Sequence, residues 1–209
     1  MSSAQPARAT TLPADDGRLM RATRTRQLVV ETFLDLLEEG EPQPTALQVS
    51  ERAEISIRSI FRLFDDVEAL HSAAVATQIE RVAPLVVPLV PTGSLDERIK
   101  AVVDSRARIF EAISPIRRMA VRLAPTSRPI RADLLLANEF FRAQIVEMFD
   151  AELSGLPAPR CNITIETLDL ATSWETWERL RSVQQVSERR TRRIVADTVR
   201  RALADGAVS

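Results

Sequence analysis

The chain has 209 residues, 45% of them apolar, and a formal net charge of −1, so it can bury a sizeable core and is not disordered throughout. Neither a strongly basic nor a strongly acidic overall balance points to a partner. Lone Cys161 excludes a disulfide within one chain, and no paired-cysteine metal motif is present. The N-terminal stretch lacks the continuous apolar run of a signal peptide and no segment reaches membrane-spanning length, so the reading is a soluble, cytoplasmic protein.

Glycine and proline punctuate the chain rather than interrupting its periodic runs. Gly40, Gly93, Gly155 and Gly206 fall between or just beyond segments of helical spacing, and alternating strand-like runs are essentially missing. The fold class is therefore all-α, with about nine helices.

In chain order, residues 1–20 are polar and read as a flexible tail. Leu28, Val29, Phe33, Leu36 and Leu37 recur at helical spacing and predict a first helix from about Thr23 to Glu39, ended by Gly40. Thr45 is a good N-cap for a second helix running to about Ala53, and Ser56 caps a third ending near Phe64. Asp65 and Asp66 cap a fourth, which carries Leu70, Val75, Ile79 and Val82 up to Pro84. The capping box Ser94-Leu-Asp-Glu97 opens helix five, expected to end near Ile113, and Ser114-Pro115 reads as the start of a short helix six. Pro129 opens a long helix seven that ends at Gly155. Residues 162–182 read as helix eight, and Ser187 caps a ninth that ends at Asp205-Gly206. The division expected is a tail (1–20), a small three-helix unit (21–66) and a larger helical unit (67–209).

The stretch Thr45–Phe64 is the most telling. Two short helices joined by a tight turn, the second carrying arginines, form a pattern that can enter a DNA groove. Val49, Ala53, Ile55, Ile60 and Phe64 supply packing positions, while Ser56, Arg58, Ser59 and Arg62 point outward in this reading. Serine can meet phosphate or bases, and arginine can grip guanine in a fork. Arg21, Arg24 and Arg26 could reach neighbouring phosphates or the minor groove. A plain amphipathic helical hairpin fits the same patterning.

The stretch from Arg24 to Leu70 resembles the DNA-binding domain of TetR-type (tetracycline-repressor-like) transcriptional regulators. The likeness rests on Gly40, Thr45, Ser50-Glu-Arg-Ala53, Ile55-Ser56, Ile60-Phe-Arg-Leu-Phe64 and Glu68-Ala-Leu70, with Trp174-Glu-Thr-Trp-Glu-Arg-Leu180 fitting the later layout. It implies DNA contacts from Arg24, Thr45, Ser56, Arg58, Ser59, Phe61 and Arg62. There are departures. Glu54 stands where the family has a turn glycine, Ile57 replaces a lysine, Phe61 a tyrosine, Leu63 a histidine and Val67 a basic residue. Across 21–70, six arginines face ten carboxylates, a net charge of −4. Since phosphate neutralisation supplies most non-specific affinity, a DNA-reading unit with this charge is expected to make few phosphate contacts.

The resemblance also implies a ligand pocket among helices five to seven with parts of four and eight, and a two-fold interface from the last two helices. Candidates for the pocket are Arg106, Phe110, Met119, Arg122, Phe140 and Met148, with Ile113, Leu123, Asn138, Phe141 and Ile145 beside them. Those for the interface are Trp177, Leu180, Ile194, Val195 and Thr198, with Trp174, Val199 and Ala202. Plain core packing explains many of the same positions. The implied function is a ligand-responsive repressor that binds a near-palindromic double-stranded operator as a homodimer and is released by a small, largely apolar effector. The alternative is a helical protein of this type that has lost strong DNA binding and acts through protein contacts. His71 has no obvious nucleophile partner and reads as a surface or helix-four position rather than a catalytic one. With no phosphate-binding glycine loop, metal-ligand cluster or catalytic constellation, neither cofactor, metal nor enzymatic activity is expected.

Overall fold

The computed structural model describes residues 14–207. All of its regular structure is helical: ten α-helices, a single 3₁₀ turn and a single π-helical turn among the described residues, matching the all-α expectation. They are α1 (Ala14–Glu38), α2 (Ala46–Ala53), α3 (Ile57–Leu63), α4 (Val67–Val82), α5 (Leu95–Leu123), α6 (Arg128–Met148), α7 (Asp150–Leu153), α8 (Ala158–Ala171), α9 (Trp174–Glu178) and α10 (Glu188–Ala207). The chain divides into two compact units, Met1–Ala74 and Val75–Ser209, with the division inside α4.

In the first unit α1 packs against α2 and α3. Val29, Val30, Phe33, Leu34 and Leu37 of α1 are buried together with Val49, Ile60, Phe64 and Leu70. Gly40 ends α1 at φ 101°, a conformation open to glycine at little cost, and the Glu41 N–H closes the helix on the Leu36 carbonyl at 2.9 Å. The tail expected over 1–20 lies outside the described residues as far as residue 13. From Ala14 onward the chain is already helical, because Arg18-Leu-Met-Arg-Ala22 are strong helix formers that extend α1 upstream.

The second unit has two apolar centres. One joins Ile99, Val102 and Val103 of α5 to Ile145, Met148 and Phe149, to Leu168 of α8, and to Val195, Val199 and Leu203 of α10. The other gathers Ala107, Ile109 and Phe110 around Trp174 and Trp177. Buried Arg98 ties α5 to the end of α6: its Nη1 donates to the Met148 carbonyl at 2.9 Å and its fork grips Glu152.

Three expected boundaries fall elsewhere. Helices five and six are one continuous 29-residue α5 with Pro115 inside it. A proline cannot donate to the carbonyl four residues back and normally breaks a helix. Here side chains attend to the carbonyls beside it, with Ser114 Oγ donating to Phe110 O at 2.7 Å and Gln78 Nε2 to Ala112 O at 3.0 Å. The expected helix seven is split at Phe149 into α6 and the short α7, and helix eight is split at Ser173, whose hydroxyl caps α9. No helix among the described residues is long and apolar enough to cross a membrane.

Candidate nucleic-acid interface and ligand cavity

The helix-turn-helix is built from local chemistry. Thr45 and Gln48 form a reciprocal capping box: Thr45 Oγ1 accepts from the Gln48 N–H at 3.2 Å, and Gln48 Oε1 accepts from the Thr45 N–H at 2.8 Å. Between the helices Glu54 lies in the left-handed region at φ 55°, ψ 36°. Two bonds clamp it there: the Ile55 N–H donates to Ser50 O at 3.1 Å, and Ser50 Oγ donates to Ile55 O at 2.6 Å. Ser56 then caps α3 through the Ser59 N–H at 3.2 Å, and the two serine hydroxyls meet at 2.9 Å.

Within α3, Ile60 is buried and the outer face is a strip of four exposed residues, Ile57, Arg58, Phe61 and Arg62. Arg24, Thr45 and Ser56 are also exposed, whereas Ser59 is half-buried and committed to the cap. Arg26 stacks over the Phe64 ring at 4.6 Å, and Arg52 pairs with Glu39 at 2.6 Å. His71 lies on α4, one of the two positions expected for it, and is buried rather than at the surface. Its ring lies 5.4 Å from that of Phe33, its Nε2 has no partner, and burial holds its pKa below the ordinary value against the opposing pull of Glu68 and Asp66.

The second unit contains an apolar cavity of about 600 Å³. Val75, Ile79 and Val82 of α4 wall it, with Ile109, Ile113, Ile116 and Ala120 of α5 and Ile130, Leu134, Leu136, Ala137, Phe140 and Phe141 of α6. Its polar lining is Gln78, Arg117 and Asp133. Of the six residues expected at a ligand, Phe140 alone lines this space. Phe110 and Met119 are buried in the core, and Met148 borders a separate, charged depression with Arg98 and Arg142. Arg106 is buried but turned to α6, its Nη1 donating to Gln144 Oε1 at 2.7 Å, its Nη2 to Phe141 O at 3.0 Å, and its guanidinium over the Phe141 ring at 4.4 Å. Burial pushes its pKa down to about 10, partly countered by Asp169, so it remains a cation at neutral pH. Arg122 is exposed.

Arg117 went unrecognised in the sequence. It follows the Ile109-Ile113-Ile116 stripe by helical phase, but that phase is visible only if the helix survives Pro115. Its side chain is 5% exposed; Nη2 donates to Asn138 Oδ1 at 2.5 Å and reaches Glu175 Oε1 at 3.5 Å. Its guanidinium lies 5.3 Å from the Trp174 ring, and Nε has no partner.

The interface candidates separate as well. Trp177 and Val195 are buried within the subunit, Trp177 donating from Nε1 to Glu111 Oε1 at 2.9 Å, and Leu180 packs partly buried on the core. Their bulk is spent on the subunit's own core, which periodicity cannot distinguish from a partner-facing stripe. Ile194 is half-buried and Thr198 exposed. On α8, Ile163 and Leu170, seven residues apart, are each 67% exposed, an apolar pair not singled out in the sequence.

A transcriptional regulator from Rhodococcus sp. Rha1 matches with a TM-score of 0.67 at 14% identity, covering 88% of this chain and 98% of its own. A TetR-family regulator from Streptomyces coelicolor gives 0.63 at 18% identity, with 88% and 90% covered. A TetR-family regulator described for Mesorhizobium loti gives 0.61 at 15%, with 88% and 98% covered. No protein-family model and no curated protein matches the chain. The chain has the fold of TetR-family transcriptional regulators.

Proposed function

We propose that the protein is a DNA-binding transcriptional regulator that acts as a homodimer and represses until a small effector releases it. The observation that carries the DNA reading is the outer strip of α3. Ile57 with Phe61 and Arg58 with Arg62 form two exposed pairs one turn apart, while Ile60 is buried, and among the described residues neither arginine is ion-paired with the surrounding acids. Arginine forks reading guanine and apolar side chains against thymine methyls are complementary modes of major-groove recognition. Thr45, Ser56 and Arg24 are the proposed phosphate contacts.

Homodimerisation is supported by the exposed Ile163 and Leu170 of α8, beside α10 with its Ile194 and Thr198. Effector response is supported by the apolar cavity and by α4, whose Val75–Val82 portion walls it and whose first turns belong to the reading head. A ligand shifts such an equilibrium only through its different affinities for the two states.

Fluorescence anisotropy with duplexes from the region flanking its own gene tests the reading. Saturable binding that survives a large excess of unrelated DNA and is lost in the Arg58→Ala, Arg62→Ala double variant is the expected result. Failure to select any preferred duplex from a random pool would instead favour a protein of this fold that works through protein contacts.

A further inference from the structure

We propose that the cavity of the second unit takes a small amphipathic molecule, an apolar body with a single anionic head, and that Arg117 receives the head. This deepens the regulator reading by naming the chemistry of its effector, and it depends on that reading only for the molecule's being an effector.

Two independent observations converge. The first is the apolar lining. Ile109, Ile116 and Ile130 form a buried floor, while Ile79, Leu136 and Phe140 are 55%, 63% and 44% exposed around the rim. Water in so apolar a space lacks the two to four polar partners that hold an ordered molecule. An apolar body of drug or lipid size is the occupant for which these walls gain most on burial.

The second is the guanidinium set into that lining. Arg117 is nearly stripped of solvent, yet its Nε donates to nothing and its one carboxylate neighbour, Glu175, is 56% exposed and at 3.5 Å. Burial depresses its pKa in spite of Glu175, the sign of a charge short of compensation. A buried donor without an acceptor is costly, and one on a cation more so. The other polar groups do not compete for the head. The Gln78 amide nitrogen is spent on the Ala112 carbonyl, and Asp133 is half-exposed and would repel an anion rather than hold it. An acceptor-only, negatively charged group is the chemistry that would complete the Nε which Asn138 and Glu175, both on Nη2, leave unmet.

The test uses the full chain and three probes of equal chain length, dodecanoate, dodecanol and dodecylammonium, each below its micelle-forming concentration. Calorimetric titration is followed alongside the emission of Trp174, whose ring lies under Arg117. Dodecanoate should bind at least tenfold more tightly than either of the others, the scale of one charge-assisted hydrogen bond. Arg117→Met should erase that preference while leaving dodecanol affinity within about threefold, and Ala137→Phe, which fills the cavity, should weaken both. If Arg117→Met does not fold, Arg117→Lys and the wild-type preference decide the matter, the lysine keeping the charge and part of the affinity. Equal binding of acid and alcohol, preference for the ammonium, an unchanged dodecanoate affinity in Arg117→Met, or no binding of dodecanoate would each overturn the proposal. Specific DNA binding measured on the same protein keeps the two readings apart. DNA binding without dodecanoate binding removes only the effector class, and dodecanoate binding without DNA binding removes only the regulator.

Discussion

The indole N–H of Trp174 donates to Ser114 Oγ at 3.0 Å, and that same hydroxyl donates onward to the Phe110 carbonyl at 2.7 Å. One serine thus serves a helix end and a helix interior at once, satisfying the tryptophan of α9 while attending to a carbonyl of α5 just before Pro115. Ser114→Ala leaves the buried indole donor unpaired and should cost about 1–3 kcal/mol in denaturant unfolding. Trp174→Phe removes the donor, so Ser114→Ala made in that background should cost measurably less. Additive losses would show that the pair is not coupled.

Glu54 occupies a left-handed backbone conformation in which a side chain costs about 1–2 kcal/mol, while glycine loses about 0.5–1 kcal/mol through its freer unfolded chain. Glu54→Gly should therefore stabilise the first unit by about 1 kcal/mol. It also removes a carboxylate near α3, so non-specific DNA affinity at low salt should rise. Thermal unfolding and a salt titration read the two effects separately.

Arg58→Ala and Arg62→Ala should each weaken specific binding by about 1–3 kcal/mol if the side chains read bases, relaxing sequence preference at one position apiece. With ten carboxylates against six arginines in residues 21–70, the dependence of log affinity on log salt should be shallow, corresponding to few neutralised phosphates. Replacing thymine by uracil in the selected half-site probes Ile57 and Phe61. Loss of the methyl should weaken the wild type and leave Phe61→Ala unaffected.

His71 has its imidazole buried against Phe33 and its pKa lowered by desolvation. The unfolded chain takes up the proton near the ordinary value of 6.5, whereas the folded protein resists it to lower pH. The stability so contributed is present above pH 6.5 and is lost as pH falls below it towards the folded value. The first unit should lose stability on mild acidification, followed by helical circular dichroism, and His71→Phe should flatten that loss.

Arg98 and Glu152 are joined by a fork whose arginine is buried, and the arginine hydrogen bond holds the Glu152 pKa below its ordinary 4.5. Glu152→Ala leaves the cation unpaired and should cost about 3 kcal/mol. In the wild type this contribution is present above pH 4.5 and is lost as pH falls through the depressed value.

What was legible in the sequence was local. Thr45, Ser56 and Ser94 cap the helices they were expected to cap, because a cap is decided within four residues. Pro115 shows the limit. Its local rule calls for a new helix, but the bond to the Ala112 carbonyl from Gln78, thirty-four residues before that acceptor, lies beyond any local window. Once α5 is allowed to continue, Ile109, Ile113, Ile116 and Arg117 fall on one wall and the cavity becomes readable. Phe110 and Met119 fall on the core side of the same helix. Trp177 is ambiguous for a different reason: a large aromatic at helical spacing packs equally well against its own subunit or another, and in this chain it lies buried beside Phe110 with its Nε1 donating to Glu111.

The chain has no tyrosine and two tryptophans, and both tryptophans lie in the same cluster of the second unit. Its intrinsic fluorescence is therefore blind to the first unit. If the small N-terminal unit melts first, emission will report a protein still folded while circular dichroism registers the loss of α1 to α3, and the separation of the two curves would count the cooperative units of this chain directly.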